Sequence, residues 1–175
     1  MKISVPYFSQ YLDVADLNIA PRACGFAVLK MLLHFYQKDS PDIAALFKKA
    51  VAEGGYNQNG LAHDYSVALL KSYGLKASRV EGLPQNDFSL ISADLENGRP
   101  VIVSVEKKVL EQKRFHQVLL VGQEERAGVW GFWYHEPESL SKEEGVGPYR
   151  FVSQETFSLF WRGMAILAEE DSLKQ

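Results

Sequence analysis

Residues 24–38, CGFAVLKMLLHFYQK, are apolar almost all the way round a helical projection, so a helix built from them has no face suited to water. Such a helix cannot lie on a surface. It must run through the middle of the molecule, and the rest of the chain must supply neighbours on every side. With 175 residues, 46% hydrophobic and 12% aromatic, the chain can bury the core of one domain without disulfide or metal staples. The single cysteine rules out an intrachain disulfide and the zinc patterns built on paired cysteines. That cysteine, Cys24, stands at the head of the apolar helix.

No internal repeat, low-complexity tract or long Pro/Gly/Ser linker divides the chain, but its pattern changes near residue 98. The first half reads as helical. After the central helix comes SPDIAALFKKAVAEGG, with Ser40 as N-cap, Pro41 at the first helical position and Gly54-Gly55 as the stop. LAHDYSVALLKSYG forms a third helix, and FSLISADLENG a short fourth ahead of Gly98-Arg99-Pro100. The second half reads as sheet: PVIVSVE, FHQVLLVGQEE, GVWGFWYHE, PYRFV and GMAILAEE are short runs rich in β-branched and aromatic residues. SQETFSLFWRG, opening at Ser153, adds a last helix beside that sheet. The expectation is a single α+β domain over 1–175, helical over about 1–98 and sheet over about 99–170.

A formal net charge of −3 and scattered basic residues leave no footprint for nucleic acid. The start, MKISVPYFSQYLD, lacks the apolar region of a signal peptide, and no apolar run is long enough to span a bilayer, which points to a cytoplasmic protein.

A thiol at a helix N-terminus faces unpaired N–H groups and the positive end of the helix dipole, and both favour thiolate. A buried structural cysteine is the competing reading, and the residue alone does not separate the two. Gly25, without a side chain, leaves room for a substrate carbonyl to approach. A thiolate nucleophile needs a base, and there are four histidines. His34 is about three turns along the helix and cannot reach back. His63 opens a polar helical turn beside Asp64. His116 begins a buried strand and is the best candidate; His135, ending the next strand, competes with it. A zinc site from His116, His135 and Glu136 is conceivable by ligand type but has no spacing pattern.

VPYFSQ, ACGFAVLKMLLHFY, FHQVLLVGQ and GFWYHEP, in that order, resemble the papain-like bacteriocin-processing (double-glycine leader) peptidases, over nearly the whole chain. The resemblance implies a papain-like fold and a cysteine peptidase that needs no cofactor or metal. Its partner would be a peptide or protein substrate. It makes Cys24 the nucleophile, His116 the general base and acid, and Gln10 the oxyanion donor together with the Cys24 N–H. Gly25, Tyr11 and Gln117 would contact substrate. Two departures stand out. Gln10 lies 14 residues ahead of the cysteine, so a loop must fold it back, and Glu136 precedes Pro137 where the family has aspartate. With no transporter segments or P-loop, the chain is expected to be a stand-alone member. A Cys/His pair also serves deamidation or transpeptidation, and a different class of function, a peptide-binding module with a decayed triad, is the alternative.

Overall fold

The computed structural model describes residues 1–109 and 112–172. Chain order is helix α1 (Cys24–Phe35), α2 (Ile43–Ala52), a short hairpin of β1 (Tyr56–Asn57) and β2 (Gly60–Leu61), α3 (His63–Ser72) and β3 (Leu75–Val80), followed by α4 (Ser89–Glu96). The second half holds β4 (Val101–Val109), β5 (Gln112–Arg126), β6 (Val129–His135), β7 (Arg150–Ser153), α5 (Gln154–Phe160) and β8 (Trp161–Glu170). Six strands form one antiparallel sheet in the order β3-β8-β4-β5-β6-β7. Among the described residues, no helix is long and apolar enough to cross a membrane.

The all-round apolar helix lies where its composition demands. Eight of its twelve residues are buried, from Gly25 to Leu33, against β5 on one side and α2 and α3 on others. Its one lysine, Lys30, carries its ammonium out along the helix to the Ser40 carbonyl, 2.7 Å away. The sheet is covered on both faces, because consecutive residues Val101–Val103 and Val118–Val121 are all buried although their side chains point to alternate sides. Phe88, Phe132, Phe157 and Trp161 form a second aromatic core where α4 and α5 meet β6 and β8.

Several boundaries differ from the sequence reading. The N-cap of α2 is Asp42 rather than Ser40: its carboxylate accepts from Ala45 N at 2.8 Å, leaving Pro41 outside the helix. Ser153 does cap α5, accepting from Thr156 N at 3.0 Å, but the helix ends at Phe160 and Trp161 enters β8. The helical half also contains strands. β3, LKASRV, is an edge strand whose alternating pattern is short and interrupted by charges, and the β1–β2 hairpin has only two residues a side.

The N-terminal segment is tied across the sheet. Ile3 N donates to Val121 O at 2.7 Å, and Lys2 pairs with Gly122 where the β5–β6 register shifts. Gly122 has φ +153°, and a Cβ there would fall 2.2 Å from Met1 O, so only glycine permits this crossing. The segment then runs to Gln10 and folds back through a 3₁₀ turn at Ala20–Arg22 into α1.

Candidate active site

Four pieces of chain converge at the start of α1. Cys24 is the first residue of that helix, which carries no side-chain cap, so its first N–H groups remain open toward the sulfur. His116, on β5, is buried at 1% exposure, and its Nε2 lies 2.6 Å from Oε1 of Glu136, the residue directly after β6. Its Nδ1 is buried without a hydrogen-bond partner among the described groups. Glu136 is held from several sides. Its Oε1 also accepts from Glu138 N at 3.0 Å, its Oε2 lies 3.0 Å from Lys107 Nζ, and its carbonyl accepts from the Tyr7 hydroxyl at 2.7 Å. The extra methylene of glutamate is thus absorbed, and the carboxylate reaches the imidazole.

The electrostatics are those of an ion pair. Burial pushes the Cys24 thiol up, but the neighbouring His116 ring, with its N–H and its charge, and the Gln117 N–H outweigh it, and the thiol ends below its ordinary value. Burial alone would lower His116, yet Cys24 and Glu136 raise it to about 9. Glu136 is likewise opposed by burial and brought down to about 2 by His116 and Lys107. Near neutral pH His116 is an imidazolium and Glu136 a carboxylate, and the charge of that ring draws the Cys24 thiol toward thiolate.

Gln10 is folded back as the loop requires. Its Nε2 donates to Ala20 O at 2.8 Å, one turn before Cys24, and its backbone N–H donates to Pro137 O at 2.8 Å, so it bridges the cysteine and glutamate segments. One N–H of the amide stays free and its Oε1 is buried without a partner. Tyr11, expected to contact substrate, is not among the residues that line the cleft; burial first, then the charges of Glu138 and Cys24, push its phenol up against the pull of Arg114 and Lys107. Gly25 and Gln117 face each other: a Cβ on Gly25 would meet Leu61 Cδ2 at 2.7 Å and Gln117 Oε1 at 3.2 Å.

His135 takes no part. Its Nε2 faces Val5 O at 3.0 Å, Tyr149 N donates to its Nδ1 at 3.1 Å, and the rings of Tyr7 and Tyr149 stand edge-on to it. It is a satisfied core histidine. The conceivable zinc set with His135 is not assembled; the donors that do come together, within 4.8 Å, are His116, Glu136 and Glu138. Lys107 pairs with both carboxylates and Arg114 lies 2.9 Å from Glu138, so cationic side chains already occupy them.

Cys24, His116, Gly25 and Gln117 open onto a cleft of about 690 Å³, whose far wall is the β1–β2 hairpin and the start of α3. Its aromatic rings are Tyr56 and Phe115, whereas Phe132 and Trp133 of the aromatic run on β6 are core residues. Lys107, Glu138, Arg114 and the hairpin escaped the sequence reading. Charged residues on a strand edge look like any solvated face, and the one available signal was the Glu-Pro-Glu alternation over 136–138.

A cysteine-headed central helix packed against an antiparallel sheet that presents a histidine is the papain-like peptidase architecture. Residues 2–168 match the Peptidase_C39 like family, and the chain belongs to it. No curated protein sequence matches. Among solved structures, a double glycine motif protease from an AMS/PCAT transporter, in complex with the leader peptide, is similar at a TM-score of 0.62 and 16% identity, over 97% of this chain and 94% of that one. The peptidase domain of Streptococcus ComA, a bi-functional ABC transporter involved in a quorum sensing pathway, is similar at 0.59 and 20% identity, over 86% and 93%. At these identities the likeness establishes the fold.

Proposed function

We propose that the protein is a cysteine peptidase of the double-glycine type, with Cys24 as nucleophile, His116 as proton carrier, Glu136 as the group that orients it and Gln10 as an oxyanion donor. The observation that carries this reading is the His116 ring, bonded at one nitrogen to Glu136 at 2.6 Å and left free at the other beside a thiol whose pKa it lowers. Because the proton already resides on His116, the ring acts first as an acid. The Cys24 thiolate attacks the scissile carbonyl carbon, and the oxyanion is received by the Cys24 N–H and the free N–H of Gln10. The imidazolium then protonates the leaving amine nitrogen as the C–N bond breaks. Neutral His116 takes a proton from water as its oxygen attacks the thioester, and collapse returns acid, thiolate and imidazolium.

Leu61 packs beside Gly25, its Cδ2 2.7 Å from where a Cβ would fall, which leaves little space for a substrate side chain next to Gly25. This supports substrates with glycines next to the scissile bond, in keeping with the motif recognised by the similar transporter protease. The test is hydrolysis of a fluorescence-quenched peptide containing Gly-Gly, alongside iodoacetamide labelling of native protein. Cleavage abolished by Cys24→Ser, and thiol alkylation rapid near neutral pH but slowed in His116→Ala, are the expected results. Alkylation seen only after denaturation would overturn the assignment of Cys24.

A further inference from the structure

The cleft wall is chemically one-sided. Arg22, Arg114 and Arg162 line it, and among the described residues no aspartate or glutamate does. Arg114 is neutralised by Glu138 at 2.9 Å, but the other two are held by neutral groups. Arg22 donates twice to the Asn18 carbonyl and lies over the Phe47 ring. Arg162 lies 3.4 Å from the centre of the Phe115 ring and donates to the hydroxyl of buried Ser104 at 3.1 Å. Glu106, opposite Phe115 in the β4–β5 register, acts on Arg162 from outside the lining. An arginine stacked on one face and anchored by one N–H in the wall of a cleft is pre-organised for a carboxylate, which takes two parallel N–H bonds.

A second, independent observation lies next to it. Gln117, 6% exposed, has its side-chain oxygen buried without a donor and directed to the space above Gly25. An acceptor at that place suits a substrate main-chain N–H, which would register the peptide in the cleft and carry its side chains past Arg162.

Resting on the peptidase reading, we propose that this cleft selects peptides with an acidic side chain near the scissile bond, received by Arg162 with Arg22 adding to the field, while Gln117 fixes the main chain.

The experiment walks one glutamate through each flanking position of an otherwise neutral, C-terminally amidated Gly-Gly peptide, with glutamine at the same position as control. Binding is read by fluorescence anisotropy on Cys24→Ala protein and turnover on the parent. At one position glutamate should bind about tenfold tighter than glutamine, a margin that shrinks with added salt. Arg162→Gln should remove the margin, and Arg162→Glu should reverse it in favour of lysine. Equal binding of glutamate and glutamine at every position, or a margin that survives Arg162→Gln, overturns the proposal. A preference found only with a free C-terminus also overturns it, assigning the carboxylate to the chain end. The binding arm does not depend on catalysis: a glutamate margin without hydrolysis by the parent sinks the peptidase reading alone, and hydrolysis without a margin sinks this one alone.

Discussion

Glu136 has one methylene more than the aspartate that the resembled family carries before proline, and the structure shows where the extra length goes. Tyr7 and Gly147 hold its backbone from either side, through the Tyr7 hydroxyl on its carbonyl and its own N–H on Gly147 O at 2.9 Å. Lys107 and the Glu138 N–H hold its carboxylate on the imidazole. The charge matters as much as the reach. An imidazolium at 1% exposure is costly without a counter-charge, and Glu136 is one of the two groups that raise His116 to about 9. Glu136→Gln should therefore lower kcat/KM by about 10² to 10⁴. It should also move the alkaline limb of the pH profile down from about 9, because the imidazolium needed as acid would lose its proton earlier. Glu136→Asp keeps the charge and should retain measurable activity with a smaller displacement of that limb. Steady-state kinetics across pH on one Gly-Gly peptide reads both effects, and an unmoved limb in Glu136→Gln would assign the orienting role elsewhere.

At the scale of elements, the site is an intersection of helix α1, strand β5 and the short β1–β2 hairpin. Leu61 of the hairpin closes on Gly25 of the helix. Since the hairpin has two residues a side, its position depends on side-chain contacts such as Tyr56 with Phe26 and Phe47 rather than on its own hydrogen bonds. Gly25→Ala probes this junction. The new methyl would meet the end of a leucine side chain at 2.7 Å and the Gln117 oxygen at 3.2 Å, and alanine favours helix over glycine by about 0.5–1 kcal/mol. Thermal unfolding should shift little in either direction, whereas KM for a Gly-Gly peptide should rise as the hairpin is pushed outward and the cleft registers substrate poorly. A large fall in melting temperature would mean that the hairpin seat is structural rather than a substrate gauge.

For the whole molecule, the two buried histidines on neighbouring strands act in opposite directions on pH stability. His116 is raised above its ordinary value, so its contribution is complete below about 6.5 and fades as pH rises through about 9. His135 is lowered to about 4 by burial, so the unfolded chain takes up its proton first, and stability falls as pH drops from about 6.5 toward 4. For a fully buried ring a depression of that size corresponds to an effect on the order of 3 kcal/mol. The urea midpoint should decline between pH about 7 and about 5, above the range where Glu136 titrates at about 2. His135→Gln, which keeps a donor toward Val5, should flatten that decline. A slope unchanged in the variant would place the acid sensitivity elsewhere.

Much of this architecture was legible in the chain itself. An apolar surface all round residues 24–35 admits only a central position, and the change to β-branched runs after Pro100 announces the sheet. Cys24 and Glu136 stand at or beside an element end, where a fixed scaffold meets open space, whereas His116, expected to begin its strand, lies inside β5, which starts at Gln112. Ser40 and Asp42 are equally good caps for α2 by residue type, and only the hydrogen bond to Ala45 N distinguishes them. What sequence could not yield were pairings between distant residues. His116 and His135 both end up beside Glu136 in chain or space, yet one reaches its carboxylate and the other turns into the core toward Val5 and Tyr149. The cationic wall of the cleft joins Arg22, Arg114 and Arg162 from three separate stretches, and β3 is a strand only because β8 offers it an edge. Local pattern follows from side-chain volume, polarity and period, which adjacent residues carry; partners and charge environment follow from chain closure, which brings together groups that no spacing rule connects.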